Sequence, residues 1–123
     1  MLADIKTLHK VLQHRIESYV HQHGHHPSTP AIAQLLSNTL YYKRFFPYYT
    51  FNVLGGIDEK GQGLCCSYDS VGSFEHVKYT SSGTGNSLIQ PLLDNQVSVP
   101  TYFTLICSRN AAGLEESDRK SVV

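Results

Sequence analysis

Apolar residues recur at steps of three and four from the start of the chain. Ile5, Leu8, Leu12, Ile16 and Tyr19 form one stripe, and Lys6, Lys10, His14 and Glu17 lie mostly away from it. That period predicts an amphipathic helix. Gly24 ends it, and Pro27 follows three residues later, as expected beyond a helix C-terminus. A second helix is predicted with Thr29 as its cap and Pro30 in the first turn, where a missing N–H has no intrahelical partner to lose. Ile32, Leu35, Leu36, Thr39 and Leu40 line one face, and Ala31 and Ala33 allow close packing. The helix must end before Pro47, near residues 42–45.

The pattern then shortens to period two and brief apolar runs. Residues 49–57 read as a strand that Gly55 and Gly56 weaken or bend. Asp58-Glu59-Lys60-Gly61 is turn chemistry, and residues 64–69 return as a second strand, giving a β-hairpin. A shorter strand fits residues 73–79. Ser81-Ser82-Gly83-Thr84-Gly85 reads as a small-residue loop, and a short helix fits Asn86 to about Asn95 with Pro91 as its weak point. Residues 102–107 fit a strand, and the polar stretch from Ala111 to Val123 has no sustained period. Two helices, an antiparallel hairpin and a short helix predict an α+β fold with helices packed on a sheet.

Composition narrows the function classes. The 123 residues are 41% hydrophobic and 16% charged, with ten basic and ten acidic residues and a formal net charge of zero, which suits a globular domain. No polyanion-binding surface and no membrane-binding face is advertised, so neither nucleic acid nor membrane is expected as a partner. Cys65 and Cys66 are adjacent and Cys107 makes the count odd, a poor disulfide framework that suits a reducing compartment.

Four constellations bear on chemistry. His21, His23, His25 and His26 are the densest set of potential metal ligands. They fall at a helix end and in a loop, and the plainer reading is a solvated helix terminus, where histidine also suits the dipole. No metal and no cofactor is expected. Cys65 and Cys66 lie in a predicted strand with no histidine near in sequence; a reactive thiol needs a base beside it, so buried structural thiols are the plainer reading. Gly83-Thr84-Gly85 opens a helix but has neither the lysine of a phosphate loop nor a dinucleotide fingerprint. Lys43 to Tyr49 mixes cations and aromatics. Base stacking is one use of such a segment, yet the neutral charge favours core packing or a protein contact, with Arg44, Phe45, Phe46 and Tyr48 as candidate interface residues.

Several phrases resemble the beta subunits of the proteasome core. They are Arg44-Phe45-Phe46-Pro47-Tyr48, then Asn52 to Glu59 around Gly55-Gly56-Ile57-Asp58, then Tyr68-Asp69-Ser70-Val71-Gly72-Ser73, and Gln90 to Gln96. The resemblance runs over residues 3–97 and is more specific from 35 onward, so 1–97 reads as a partial proteasome-type domain and 98–123 as a divergent tail.

The resemblance implies an N-terminal-nucleophile hydrolase fold, a sandwich of two antiparallel sheets between helical layers, here present in part and truncated at the N-terminus. It implies that the strands carrying a threonine nucleophile, an acid and a lysine would precede the first helix. It places Thr84 in a loop where active members hold a Gly-Ser-Gly motif near the nucleophile, as a vestigial position. It implies a non-catalytic structural component, partnered with other alpha and beta subunits in cytoplasm and nucleus, serving ubiquitin-dependent protein degradation. A threonine-type endopeptidase subunit and a histidine-cluster metal-binding module are the alternatives.

Overall fold

The computed structural model describes residues 2–96 and a short strand at 106–107. Two helices open the chain, α1 (Leu2–His23) and α2 (Thr29–Tyr42). Three antiparallel strands follow, β1 (Val53–Ile57), β2 (Gly63–Tyr68) and β3 (Phe74–Val77), in sheet order β1-β2-β3. A two-residue strand, β4 (Ser81–Ser82), leads to α3 (Asn86–Gln96), and β4 pairs in parallel with β5 (Ile106–Cys107). The fold class is α+β, as the sequence pattern predicts. No helix among the described residues is long and apolar enough to cross a membrane.

The core lies between the two opening helices and one face of the sheet. Leu8 and Leu12 of α1, Ala33, Leu36 and Leu40 of α2, and Leu54, Cys66 and Tyr68 of the sheet form one buried cluster. Ile32, Leu35, Tyr48, Leu64 and Phe74 pack at its margin. The register explains the membership. Leu54 pairs with Cys66, Cys66 with His76 and Tyr68 with Phe74, and alternate residues of a strand share a face. Val53 and Cys65, on the opposite face, are buried outside this cluster.

Helix α2 touches the sheet through positions four apart. Thr29 Oγ1 donates to Ile57 O (2.8 Å), Tyr68 Oη donates to Ala33 O (2.7 Å), and Ser37 Oγ donates to Gly72 O (2.7 Å). Residues at i, i+4 and i+8 lie along one helical face. Farther along α2, the Thr39 hydroxyl donates to Leu35 O (2.7 Å) and accepts from Arg15 Nη1 (2.9 Å), tying in α1.

Several expectations change. Ser28, not Thr29, is the N-cap residue, and no side chain caps the helix. The Thr29 hydroxyl goes to β1 instead, because the helix N-terminus rests against that strand. Gly55 and Gly56 do not break β1; both sit in ladder register, opposite Cys65 and Leu64. Gly56 serves proximity, since a Cβ there would lie 2.5 Å from Thr29 Cγ2. The predicted strand from 49 begins only at Val53, and Ser81-Ser82 is a strand rather than loop. Of Ala31 and Ala33, only Ala33 is buried. Helix α3 runs through Pro91, which is exposed together with Ser87, so water can serve the carbonyl that the missing amide leaves unpaired. Of the strand expected at 102–107, residues 102–105 lie outside the described residues, as does the remainder of the tail.

Gly72 carries a positive φ of 98°, and a Cβ there would stand 2.5 Å from the Ser37 carbonyl oxygen. Gly24 also has a positive φ, 75°, with nothing within 4 Å. Comparing the two separates backbone strain from collision. Gly24→Ala should cost about 1 kcal/mol in urea unfolding, and Gly72→Ala about 3 kcal/mol or more. Equal losses would show that the turn, not its contact with α2, sets the cost.

Candidate functional site

Two displayed features and one thiol–histidine pair carry the chemistry of the described residues. The first is the loop before α3. Gly83 takes a positive φ of 116°, the Asn86 amide donates to Gly83 O (3.2 Å), and the Ile89 amide donates to Gly85 O (3.2 Å), which starts the helix. Thr84 is exposed at the crest of this turn.

A polar ladder fixes the loop against β4. Asn86, Gln90 and Asp94 recur every four residues along α3. Ser81 Oγ meets the Asn86 side-chain oxygen and lies 2.8 Å from Gln90 Oε1. Gln90 Nε2 donates to Asp94 Oδ1 (3.1 Å), which also accepts from Tyr79 Oη (2.8 Å). The hydrogen bond to Asp94 raises the Tyr79 phenol above its ordinary value, helped by partial burial and the carboxylate's charge. Steps of four along α3 advance about 6 Å, which keeps its three polar side chains in one row beside Tyr79 and Ser81. The signal for it, polar residues at 86, 90 and 94, is present in the sequence, but a polar period says nothing of what it faces.

The second feature is the end of α2. The Lys43 amide donates to Leu40 O, the Arg44 amide to Tyr41 O and the Phe46 amide to Lys43 O, at 3.0–3.1 Å. These turns hold Tyr42, Phe45 and Phe46 outward at 83, 94 and 86% exposure. Arg44 lies over the Tyr41 and Phe45 rings (5.8 and 5.5 Å), and Lys43 over Tyr48 (5.4 Å). Of the four candidate interface residues, Arg44, Phe45 and Phe46 are exposed together, outside the core cluster of the described residues. Tyr48 is half-buried against the core. Tyr41 and Tyr42 join the cluster although periodicity alone assigns them to the helix.

The third feature pairs the buried Cys66 with the exposed His76. Strand pairing places them side by side, with Sγ 3.3 Å from Nδ1. Sequence distance hides this base, and only the β2–β3 register reveals it. Cys66 is nevertheless fully buried. Burial, and secondarily Cys65, pushes its thiol up, and burial pushes Cys65 up as well. A raised, enclosed thiol is a poor nucleophile.

The histidines divide. His23 Nδ1 bonds Tyr19 O (3.1 Å) and its ring stacks on Tyr19, while His25 Nδ1 bonds His26 O (3.0 Å). Among the described residues no group of three or more His, Cys, Asp or Glu is arranged to hold a metal.

The α+β arrangement of helices on an antiparallel sheet is consistent with the family that the sequence matches. The model of the proteasome subunit family matches residues 1–102, and the chain belongs to that family. Within it, the chain is similar to subunits of the beta type-1 kind. It is 52% identical over 121 residues to proteasome subunit beta type-1 of Arabidopsis thaliana, which covers 98% of this chain and 54% of the relative. It is 61% identical over 98 residues to that of Dictyostelium discoideum, covering 80% of this chain and 42% of the relative. For Danio rerio the figures are 44% over 95 residues, 77% and 40%. The chain thus spans about half the length of the curated relatives it matches.

Tyr68 adds to the buried titrating groups, its phenol raised by burial first and by Cys66 second. In the folded chain all three groups hold their protons to higher pH than when unfolded. Stability is therefore fully present below the ordinary thiol value of 9.0 and declines as pH climbs above it. The urea midpoint should hold steady from neutral pH to about 8 and fall by about pH 10. A flat profile would contradict the burial of these groups.

Proposed function

We propose that this chain is a non-catalytic structural component of the 20S core particle, contributing to ubiquitin-dependent protein degradation in cytoplasm and nucleus through contacts with other alpha and beta subunits. The observation that carries this reading is the 52–61% identity to beta type-1 subunits. The chemistry of the described residues agrees with it. A covalent catalyst needs an accessible nucleophile within reach of a base, and the thiol that has a histidine beside it, Cys66, is sealed in the core. Thr84 is exposed, and among the described residues no side chain bonds to it, so it serves as a loop residue in a vestigial family position. The exposed Arg44, Phe45 and Phe46, with Tyr48 anchoring them to the core, form the candidate contact surface.

Expressed in cells as a tagged chain, the protein should co-migrate with assembled core particle on native gels. Recovery in insoluble material alone would sink the proposal. Labelling of the chain by an active-site-directed threonine probe would overturn its non-catalytic part.

A further inference from the structure

The knuckle that ends α2 carries information about its partner. Aromatic rings exposed to this degree mark an interaction site. Tyr, Phe and Arg are also the residue types that anchor protein interfaces. The backbone turns from Leu40 to Phe46 fix the main chain of the segment, so little backbone freedom remains to be lost on docking.

The charge is one-sided. Between Glu17 and Asp58 the sequence contains no aspartate or glutamate. Among the described residues no carboxylate pairs with Lys43 or Arg44, which contact aromatic rings and one tyrosine hydroxyl. Asp4, which α1 brings near, accepts from the Tyr49 amide. A guanidinium has five N–H donors. Arg44 commits one of them, to Tyr41 Oη at 3.4 Å. A cation lying on aromatic faces with its donors free is suited to bidentate capture of a carboxylate.

We propose that Tyr41, Tyr42, Arg44, Phe45 and Phe46 dock into an apolar socket rimmed by carboxylates on a neighbouring proteasome subunit. The inference rests on the core-particle reading above. Stacking on single-stranded RNA would use the same residue types, but two cations on a chain of zero net charge give little electrostatic purchase on a phosphate backbone.

The test uses the full chain, tagged and expressed in cells, with a photo-crosslinking benzoylphenylalanine at position 45. Its crosslink should fall on a different proteasome subunit, in a peptide containing aspartate or glutamate. Arg44→Glu and the pair Phe45→Ala with Phe46→Ala should each lower recovery in core particle at least tenfold. Lys60→Glu, in the β1–β2 turn, should leave it unchanged. All these positions are exposed, so soluble yield and circular dichroism should match the parent chain. Parent-level incorporation of both knuckle variants would overturn the inference. So would a crosslink to RNA, or to a peptide without a carboxylate. Those results leave the core-particle reading standing, whereas failure of the parent chain to enter the particle removes both.

Discussion

The structure depends on how closely α2 approaches the sheet. Two glycines permit it. Gly56 leaves the space that Thr29 fills, and Gly72 leaves the space against the Ser37 carbonyl. A methyl group at either place would hold helix and sheet apart. The approach brings three hydrogen bonds into range along one helical face, at Thr29, Ala33 and Ser37. The middle one matters most to the core. Tyr68 can be buried there only because its hydroxyl reaches the Ala33 carbonyl, since a buried phenol without a partner costs about 1–3 kcal/mol. The ring itself stacks on Phe74 at 5.0 Å, which links the third strand to the same contact.

Once α2 is clamped, its C-terminal end has a fixed position and direction. The knuckle follows from that. Leu40 is fully buried two residues before Tyr42, which is 83% exposed. The chain then turns through Lys43 and Arg44 before Tyr48 re-enters the edge of the core. Anchored at both ends, the segment presents its rings without burying them. The α3 loop is held by a different device, a row of polar side chains at four-residue steps on α3 that meets Tyr79 and Ser81. Both features therefore sit on rigid supports, which is what a repeated, specific contact requires.

What could be read from the sequence follows from the range of the forces involved. The α1 stripe was legible because periodicity is local, and Leu8 and Leu12 are buried as it predicts. The β1–β2 hairpin was legible because Asp58 to Gly61 has turn chemistry, and the Asp58 and Gly61 amides both find turn acceptors. The family was legible from short phrases such as Gly55-Gly56-Ile57-Asp58. What escaped depends on contacts between distant segments. Nothing local says that Thr29 donates to a strand 28 residues away, that Gly56 exists to admit it, or that His76 stands beside Cys66. The exposure of Phe45 and Phe46 was equally hidden, because an aromatic run reads the same whether it enters a core or leaves one.

Exposed apolar residues are not equivalent in what they can recognise. Leu88 and Leu92 lie four apart on α3 and are both exposed. As aliphatic side chains they carry no charge, so any apolar surface of suitable shape satisfies them, and burial is their whole requirement. The knuckle is different because each cation rests on a ring. Covering the rings with an apolar surface alone would also strip water from Lys43 and Arg44, and a desolvated, unpaired charge costs more than the rings would gain. A cover that brings carboxylates to the cations removes that penalty. The knuckle therefore disfavours general hydrophobic association while remaining strongly apolar, and that combination distinguishes it from a plain aliphatic patch.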